Sequence, residues 1–412
     1  MANEGRTSPR RVIVLGATGS IGRQTLDVIA HLNADCQRHA RPPLFEVVGL
    51  AAGRNAQALS RAAKTHRVQH LALAQGEPPT TGTLTGPEAA ERLVREVDAD
   101  TVVGAMVGFA GLPAMLAAAE LGRDIALANK EALVAAGELV VDTARKSSAK
   151  LLPVDSEHSG IWQAIGAHIA GAWNQSPPPM EIGRDVSRVT LTASGGALRG
   201  MSPKAIYNAT PRQALAHPTW DMGAKVTIDT ASLTNKALEL VEAAWLFGLR
   251  AEQLDVLIHP QSIVHALIEY ADRSVLAQMG APDMRTPIQT ALTWPDRHPG
   301  LAPSLELARL GQLDFEAPDH ELFPALRAGF EIIRRAGTSG AVFNAANEVA
   351  VQAFLDERLP FGRISQISCA AIQEVGSSPI RSMDDVLHAD AEGRRFAQTQ
   401  LNDTPATQAT HG

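Results

Sequence analysis

The chain has 412 residues and a formal net charge of −7, with 45% hydrophobic residues, 20% charged residues and two cysteines. That length accommodates two or three domains with a substantial core, and the acidic balance argues against nucleic acid as the main partner. Cys36 and Cys369 are too few for a disulfide framework, MANEGRTSPRR lacks the apolar centre of a signal peptide, and no apolar run reaches the ~20 residues of a membrane span, so a cytoplasmic protein is expected, with no membrane partner.

After the polar tail, Arg11–Leu15 reads as a buried strand, followed at once by GATGSIG (16–22) and an amphipathic helix to about Leu32. Further strand signals fall at Phe45–Leu50, Leu71–Leu73, Thr101–Val103 and Ile125–Ala128, with helical stretches between them. This alternation predicts an α/β fold, with a Rossmann-type parallel sheet over 1–150. From 151 to 295, Val189–Thr192, Lys225–Ile228, Val256–Ile258, His265–Tyr270 and Val275–Gln278 read as strands with few helices between them, which predicts a central α+β domain. Ser176-Pro177-Pro178-Pro179 reads as a surface loop, and the prolines at 295, 299, 303 and 318 predict an extended linker over 296–321. Helical periodicity over 322–400 predicts a C-terminal helical bundle, with the last dozen residues disordered.

Gly16, Gly19 and Gly22 stand between a strand and a helix, where they allow a tight turn and the close approach of a pyrophosphate. The same string also serves as a strand–helix turn with no ligand. The second strand ends in Gly53, Arg54 and Asn55, without the acid that binds a ribose 2′-OH in NAD sites. Arginine suits a 2′-phosphate, which favours NADPH over NADH; a solvated surface arginine is the alternative. ALANKE (126–131) ends another strand with Asn129, Lys130 and Glu131. Lys130 either faces the ligand crevice and stabilises negative charge there or forms a Lys-Glu pair that opens a helix.

LLPVDSEH (151–158) places Asp155 and Glu157 after an apolar run, two residues apart and pointing the same way if the strand continues. Glu239 closes TIDTASLTNKALE (227–239), which reads as one helix with Asn235, Lys236 and Glu239 on a shared face. Oxygen ligands without His or Cys suit a hard divalent cation, Mg²⁺ or Mn²⁺, with Co²⁺ as a further option. Ser156 is then left for substrate, while His158 either supports the ligands from behind or is structural. Ser194-Gly195-Gly196 ends a strand in a loop that fits a phosphate or is only a turn. Thr230, Asn235 and Lys236 bring hydroxyl, amide and ammonium donors close to Glu239, and Lys236 weighs for the phosphate. HPTWDMG (217–223) reads as a closing loop carrying Trp220, with Gly223 as a hinge and His217 as a phosphate donor, or as a surface turn. His259 and His265 read as structural.

Taken together, GATGSIG, ALANKE, PVDSEH, LTASGG, HPTWDMG, TNKALE, IHPQSIVH, GAPDMRTPI and FNAANEVAV stand in the order of one family, and the chain resembles the 1-deoxy-D-xylulose 5-phosphate reductoisomerases over nearly its whole length. The resemblance implies a V-shaped, homodimeric enzyme with NADPH, catalytic and C-terminal helical domains. It implies NADPH contacts at Thr18, Gly19, Ser20, Ile21, Gly53, Arg54, Asn55, Asn129, Glu131 and Gly223. Asp155, Glu157 and Glu239 resemble the metal ligands. Lys130, Ser156, Glu157, Ser194, His217, Thr230, Asn235, Lys236 and Glu239 resemble the contacts to a sugar phosphate, under a Trp220 lid. Arg54 stands where lysine is common, Thr230 and Ser232 exchange a familiar serine and threonine, and Ala193 and Ala237 replace frequent glycines, adding methyls that would tighten the pocket. Segments 33–43 and 171–188 look longer than usual and are expected as surface loops.

The implied reaction rearranges 1-deoxy-D-xylulose 5-phosphate and reduces the product to 2-C-methyl-D-erythritol 4-phosphate. The retro-aldol/aldol route is preferred over a direct 1,2-shift, although the sequence does not choose between them. The metal would serve as a Lewis acid, Lys130 would add positive charge at the oxyanion, and the phosphate site would orient the reacting carbons. Two rivals are a plain NADP-dependent dehydrogenase indifferent to chelators, and a cofactor-sensing binding protein without catalysis.

Overall fold

The computed structural model describes residues 8–168 and 177–402. The expectations for the polar N-terminal tail, most of the terminal dozen residues and the first part of the 171–188 loop lie outside them.

Seven strands form the first sheet: β1 (Arg10–Leu15), β2 (Phe45–Ala52), β3 (His70–Leu73), β4 (Leu84–Thr85), β5 (Thr101–Gly104), β6 (Asp124–Leu127) and β7 (Leu151–Pro153). They lie in the order β4-β3-β2-β1-β5-β6-β7, and every pair is parallel. Helices α1 (Ser20–Arg38), α2 (Ala56–His66), α3 (Ala89–Glu96), α4 (Leu112–Glu120) and α5 (Lys130–Ser147) connect and cover them. Val12, Ile13, Val14 and Leu15 are all 0% exposed, as a strand covered on both faces requires. Each such side chain stabilises the fold by about 1.5–3 kcal/mol. The strand order reverses at β1, the point at which sheets of this kind bind ligands, outside the carboxyl ends of the flanking strands β1 and β5. Helix α1 continues past Leu32 to Arg38 because Asp35 and Cys36 still face inward, so half of the loop expected over 33–43 is helical.

Beyond β7 come α6 (Ser156–His168) and β8 (Val186–Ala193), then α7 (Pro203–Tyr207), α8 (Pro211–Ala214), α9 (Ala224–Ala231) and α10 (Thr234–Phe247). Strands β9 (Leu254–Ile258), β10 (Val264–Tyr270) and β11 (Val275–Met279) complete a second sheet of order β11-β10-β8-β9, followed by α11 (Arg285–Thr293). The β8–β9 pair is parallel and the other two are antiparallel. Lys225–Ile228, expected as a strand, lies inside α9. Its β-branched residues suggest a strand, but Ile228 is buried at helical spacing and Lys225 pairs with Asp229 one turn on. The single helix expected over 227–239 breaks at Leu233, which adopts φ +56°.

The segment expected as an extended linker contains α12 (Leu307–Leu310) and a bridge from Glu316 to Ile258. Helices α13 (Pro324–Arg335), α14 (Ser339–Leu355), α15 (Phe361–Glu374) and α16 (Met383–Asn402) form the C-terminal bundle. At its centre α14 packs on α15 and α16 and also reaches α5 and α9. Among the described residues no helix is long and apolar enough to cross a membrane.

Candidate active site

β7 ends at Pro153 and α6 starts at Ser156, so Asp155 and Glu157 do not share an extended strand as expected. The Asp155 carbonyl accepts the Ser159 N–H at 2.9 Å, and Glu157 lies in the first turn of the helix. A carboxylate there is favoured by the helix dipole. Glu239 is in the second turn of α10, which the break at Leu233 turns toward α6.

The three acids meet through two lysines. Lys130 Nζ lies 2.6 Å from Asp155 Oδ2 and 2.9 Å from Glu239 Oε1, and donates to Asn235 Oδ1 at 2.9 Å. Lys236 Nζ lies 2.6 Å from Glu157 Oε1 and also pairs with Glu239 Oε2. Asn235 donates its amide to Glu239 Oε1, and Ser156 Oγ donates to Glu157 Oε2 at 2.6 Å. Burial alone would lower both ammonium groups. Asp155 and Glu239 overcome this at Lys130, and Glu157 and Glu239 at Lys236, so both stand above their ordinary values. Burial would raise the Glu157 carboxyl, but Lys236 brings it down to about 2.

Carboxylate oxygens from α6, α10 and the loop before α6 thus gather around positive charge, a donor set suited to Mg²⁺ or Mn²⁺. Asp155, His158 and Glu242 also bring ligand-type atoms within 4.8 Å of one another. His158 is 0% and Glu242 1% exposed, so an ion held there would have no open position for substrate. That group is better read as the support behind Asp155. His158 Nε2 donates to the Glu239 carbonyl at 2.8 Å, and burial lowers the imidazole, leaving it neutral and fastening α6 to α10.

A second group of donors lies on the other side. His217 Nδ1 accepts the N–H groups of Thr219 and Trp220 at 3.1 and 2.9 Å, so the proton sits on Nε2, which donates to Ser194 Oγ at 2.9 Å. The loop at Ser194 rests on α9, where a Cβ on Gly196 would come 2.8 Å from the Thr230 carbonyl. Thr230 donates its hydroxyl to Val226. Asn235 and Lys236 turn toward the carboxylates rather than toward Ser194. The Ala237 Cβ lies against Gly329 of α13 instead of entering the pocket.

At the first sheet, Gly16 takes φ +77°, and a Cβ there would come 2.2 Å from the Ala105 carbonyl. No room exists at Gly22 either, with the Gly16 carbonyl at 2.3 Å. Gly19 is the N-cap of α1, and no side chain caps it, so the first-turn N–H groups stay available around Thr18, Ser20 and Ile21 for an anion. Beyond Gly53, Arg54 is held by Gln75 at 2.7 Å, and Asn55 caps α2. Asn129 and Glu131 are buried and bonded to protein: Asn129 to the Met106 and Gly108 carbonyls, Glu131 to Lys225, with Gly223 at the N-cap of that helix. His158, one of whose two expected roles was to support the ligands from behind, does so through the Glu239 carbonyl, whereas sequence reasoning missed Gln75 and the reach of Lys225 to Glu131, 94 residues away.

Three family models match the chain: 1-deoxy-D-xylulose 5-phosphate reductoisomerase over 12–137, its C-terminal domain over 151–247, and the DXP reductoisomerase C-terminal domain over 279–396. A curated 1-deoxy-D-xylulose 5-phosphate reductoisomerase of Xanthomonas axonopodis pv. citri is 43% identical over 407 residues, covering 96% of this chain and 98% of the relative. One from Pelotomaculum thermopropionicum is 43% identical over 410 residues, with 96% and 99% covered. The Zymomonas mobilis reductoisomerase, solved in complex with NADPH, is 40% identical with a TM-score of 0.83 over 96% of this chain and 100% of that one. A DOX-P reductoisomerase solved with NADPH, fosmidomycin and magnesium is 35% identical with a TM-score of 0.83, covering 95% and 98%. With three models in sequence and more than two-fifths identity across almost every residue, the chain belongs to the 1-deoxy-D-xylulose 5-phosphate reductoisomerase family.

Proposed function

We propose that the chain converts 1-deoxy-D-xylulose 5-phosphate to 2-C-methyl-D-erythritol 4-phosphate, with NADPH and a divalent cation. The observation that carries this reading is the convergence of Asp155, Glu157 and Glu239 on Lys130 and Lys236, beside the carboxyl edge of a dinucleotide-type sheet. When bound, the cation supplies Lewis-acid polarisation of substrate oxygens and NADPH supplies hydride. Asp155, Glu157 and Glu239 hold the cation. Lys130 adds a buried positive charge where substrate oxygen develops negative charge. Ser156 and Asn235 orient the sugar hydroxyls and Lys236 serves the same end of the substrate, while Ser194, His217 and Thr230 hold the phosphate, with Trp220 closing over it to exclude water.

Thr18, Gly19, Ser20 and Ile21 receive the cofactor's pyrophosphate, and Gly53, Arg54 and Asn55 its 2′-phosphate end. Asn129, Glu131 and Gly223 shape the far wall. In this division of labour, residues 1–150 bind NADPH, 151–295 bind metal and substrate, 296–321 link, and 322–400 form the bundle. A homodimer suits β11, an edge strand with Val275 52% and Leu276 40% exposed. The cytoplasm suits two cysteines left as free thiols. In a plain dehydrogenase the three acids would serve only as salt-bridge partners of Lys130 and Lys236, and activity would not depend on a divalent cation. The test follows NADPH absorbance with 1-deoxy-D-xylulose 5-phosphate and Mn²⁺, where a chelator should abolish oxidation and added Mn²⁺ restore it. Oxidation indifferent to the chelator would favour the simple dehydrogenase.

A further inference from the structure

Helix α14 carries Asn347 and Glu348 side by side, and the two reach different walls of the site. Asn347 Nδ2 donates to Asp229 Oδ1 on α9 at 2.8 Å, and Asp229 shares Lys225 with Glu131 at 3.0 and 2.9 Å. Glu348 Oε1 accepts the Phe109 backbone N–H at 3.2 Å and the Asn344 amide at 3.2 Å. Its Oε2 faces Arg394 of α16 at 2.5 Å, and Asp390 holds Arg394 at 2.7 Å.

Phe109 ends the turn that follows β5. Asn129 grips the same turn from the opposite side, donating to the Met106 and Gly108 carbonyls. Gly108 is at φ +78°, and a Cβ there would stand 2.8 Å from Glu348 Oε1, so helix and turn are in close contact. At its start the turn presses on Gly16 of the dinucleotide loop through the Ala105 carbonyl. Between the two grips Val107 is 60% exposed. Anchored by Asn129 on one hand and Glu348 on the other, the turn fixes where the exposed Val107 side chain stands beside the dinucleotide loop.

We propose that Glu348, although it belongs to the C-terminal bundle, is a positioning residue for the cofactor, holding the Val107–Phe109 turn so that Val107 faces the nicotinamide end of NADPH. This rests on the reading of the first sheet as the NADPH site. It makes the bundle part of cofactor binding, with α14 setting the distance between the β5 turn and α9.

The test titrates NADPH fluorescence with purified wild type, Glu348→Ala, Glu348→Gln and Arg394→Leu, alongside KM for the sugar phosphate. Glu348→Ala leaves the Phe109 N–H without its acceptor and should weaken NADPH about tenfold, with the sugar-phosphate KM changed less than twofold. Glu348→Gln keeps an oxygen for that N–H and should recover most of the loss. Arg394→Leu frees the carboxylate without touching the turn and should weaken NADPH about threefold, which keeps the proposal testable if Glu348→Ala does not fold. NADPH affinity within twofold of wild type in both Glu348→Ala and Arg394→Leu would overturn the clamp, as would equal losses in the Ala and Gln variants. Wild-type protein that fails to bind NADPH would sink the cofactor reading itself, a separate and distinguishable failure.

Discussion

Replacing Glu239 with Gln tests the site where its charges are most closely coupled. The Glu239 side chain is 3% exposed, and its oxygens serve two ammonium groups that are themselves 9% and 4% exposed. The substitution leaves Lys130 with Asp155 and Lys236 with Glu157, each at 2.6 Å. Removing one partner of a buried pair costs about 3–5 kcal/mol. Because each lysine keeps one carboxylate, about 3 kcal/mol is expected, which for a 412-residue chain sharing one continuous core lowers the melting temperature by roughly 3–4 °C. Turnover should fall by about 10²–10³-fold, because the cation that Glu239 would hold is what stabilises the developing negative charge. NADPH affinity should change only a few-fold, since the side-chain partners of Glu239 are Lys130, Asn235 and Lys236. The assays are calorimetry in chelator and NADPH oxidation in saturating Mn²⁺. Near-normal turnover would exclude Glu239 as an essential ligand, and an unchanged melting temperature would refute the electrostatic argument.

Other outcomes follow from the same geometry. Arg54→Ala should weaken NADPH about tenfold through loss of a charge-assisted contact and leave NADH almost unaffected; equal losses in a two-cofactor titration would remove the 2′-phosphate role. Gly16→Ala should abolish NADPH binding, because its Cβ would overlap the Ala105 carbonyl at a left-handed φ; retained affinity in a fluorescence titration would contradict the described turn. Burial lowers His217 from its ordinary 6.5, and its bare Nδ1 holds two loop N–H groups. The folded value is depressed, so this stabilisation is complete above pH 6.5 and is lost as pH falls through the folded value. Trp220 fluorescence should therefore shift on acidification below pH 6.5, and a His217→Gln variant should lose that shift.

The first sheet was readable because strands buried on both faces leave continuous apolar runs, and the glycine turn has a steric cause visible in the letters themselves. The acid trio was readable because carboxylates after apolar residues demand neutralisation. What neutralises them here was only half anticipated. Lys130 and Lys236, expected at the substrate, also bridge the acids. The β7–α6 junction was misread because two residues separate strand from helix, too few for periodicity to register. Lys225–Ile228 was misread because β-branched residues favour strands unless tertiary burial overrules them. The Phe109–Glu348 contact, 239 residues apart, has no local trace.

A fourth acid lies against the trio and is held differently from Glu157. Glu242 is 1% exposed, one turn beyond Glu239, and its carboxyl is pushed well above the ordinary range by burial and then by Asp155. Like charges this close resist common ionisation, and the group with the poorest access to cations is the one favoured in neutral form. Glu157, by contrast, is held at about 2 by Lys236 despite its burial. Two acids with equal intrinsic chemistry are thus driven apart: Lys236 bonds Glu157 directly, whereas burial and Asp155 outweigh the pull of Lys130 at Glu242. Glu242→Gln, nearly isosteric with the protonated acid, should keep turnover within a few-fold of wild type and shift the melting temperature little. Glu239→Gln, the same change one turn away, should not be tolerated. Equal damage from both substitutions, measured by NADPH oxidation at matched Mn²⁺, would show that Glu242 works as a carboxylate and that the trio is in fact a quartet.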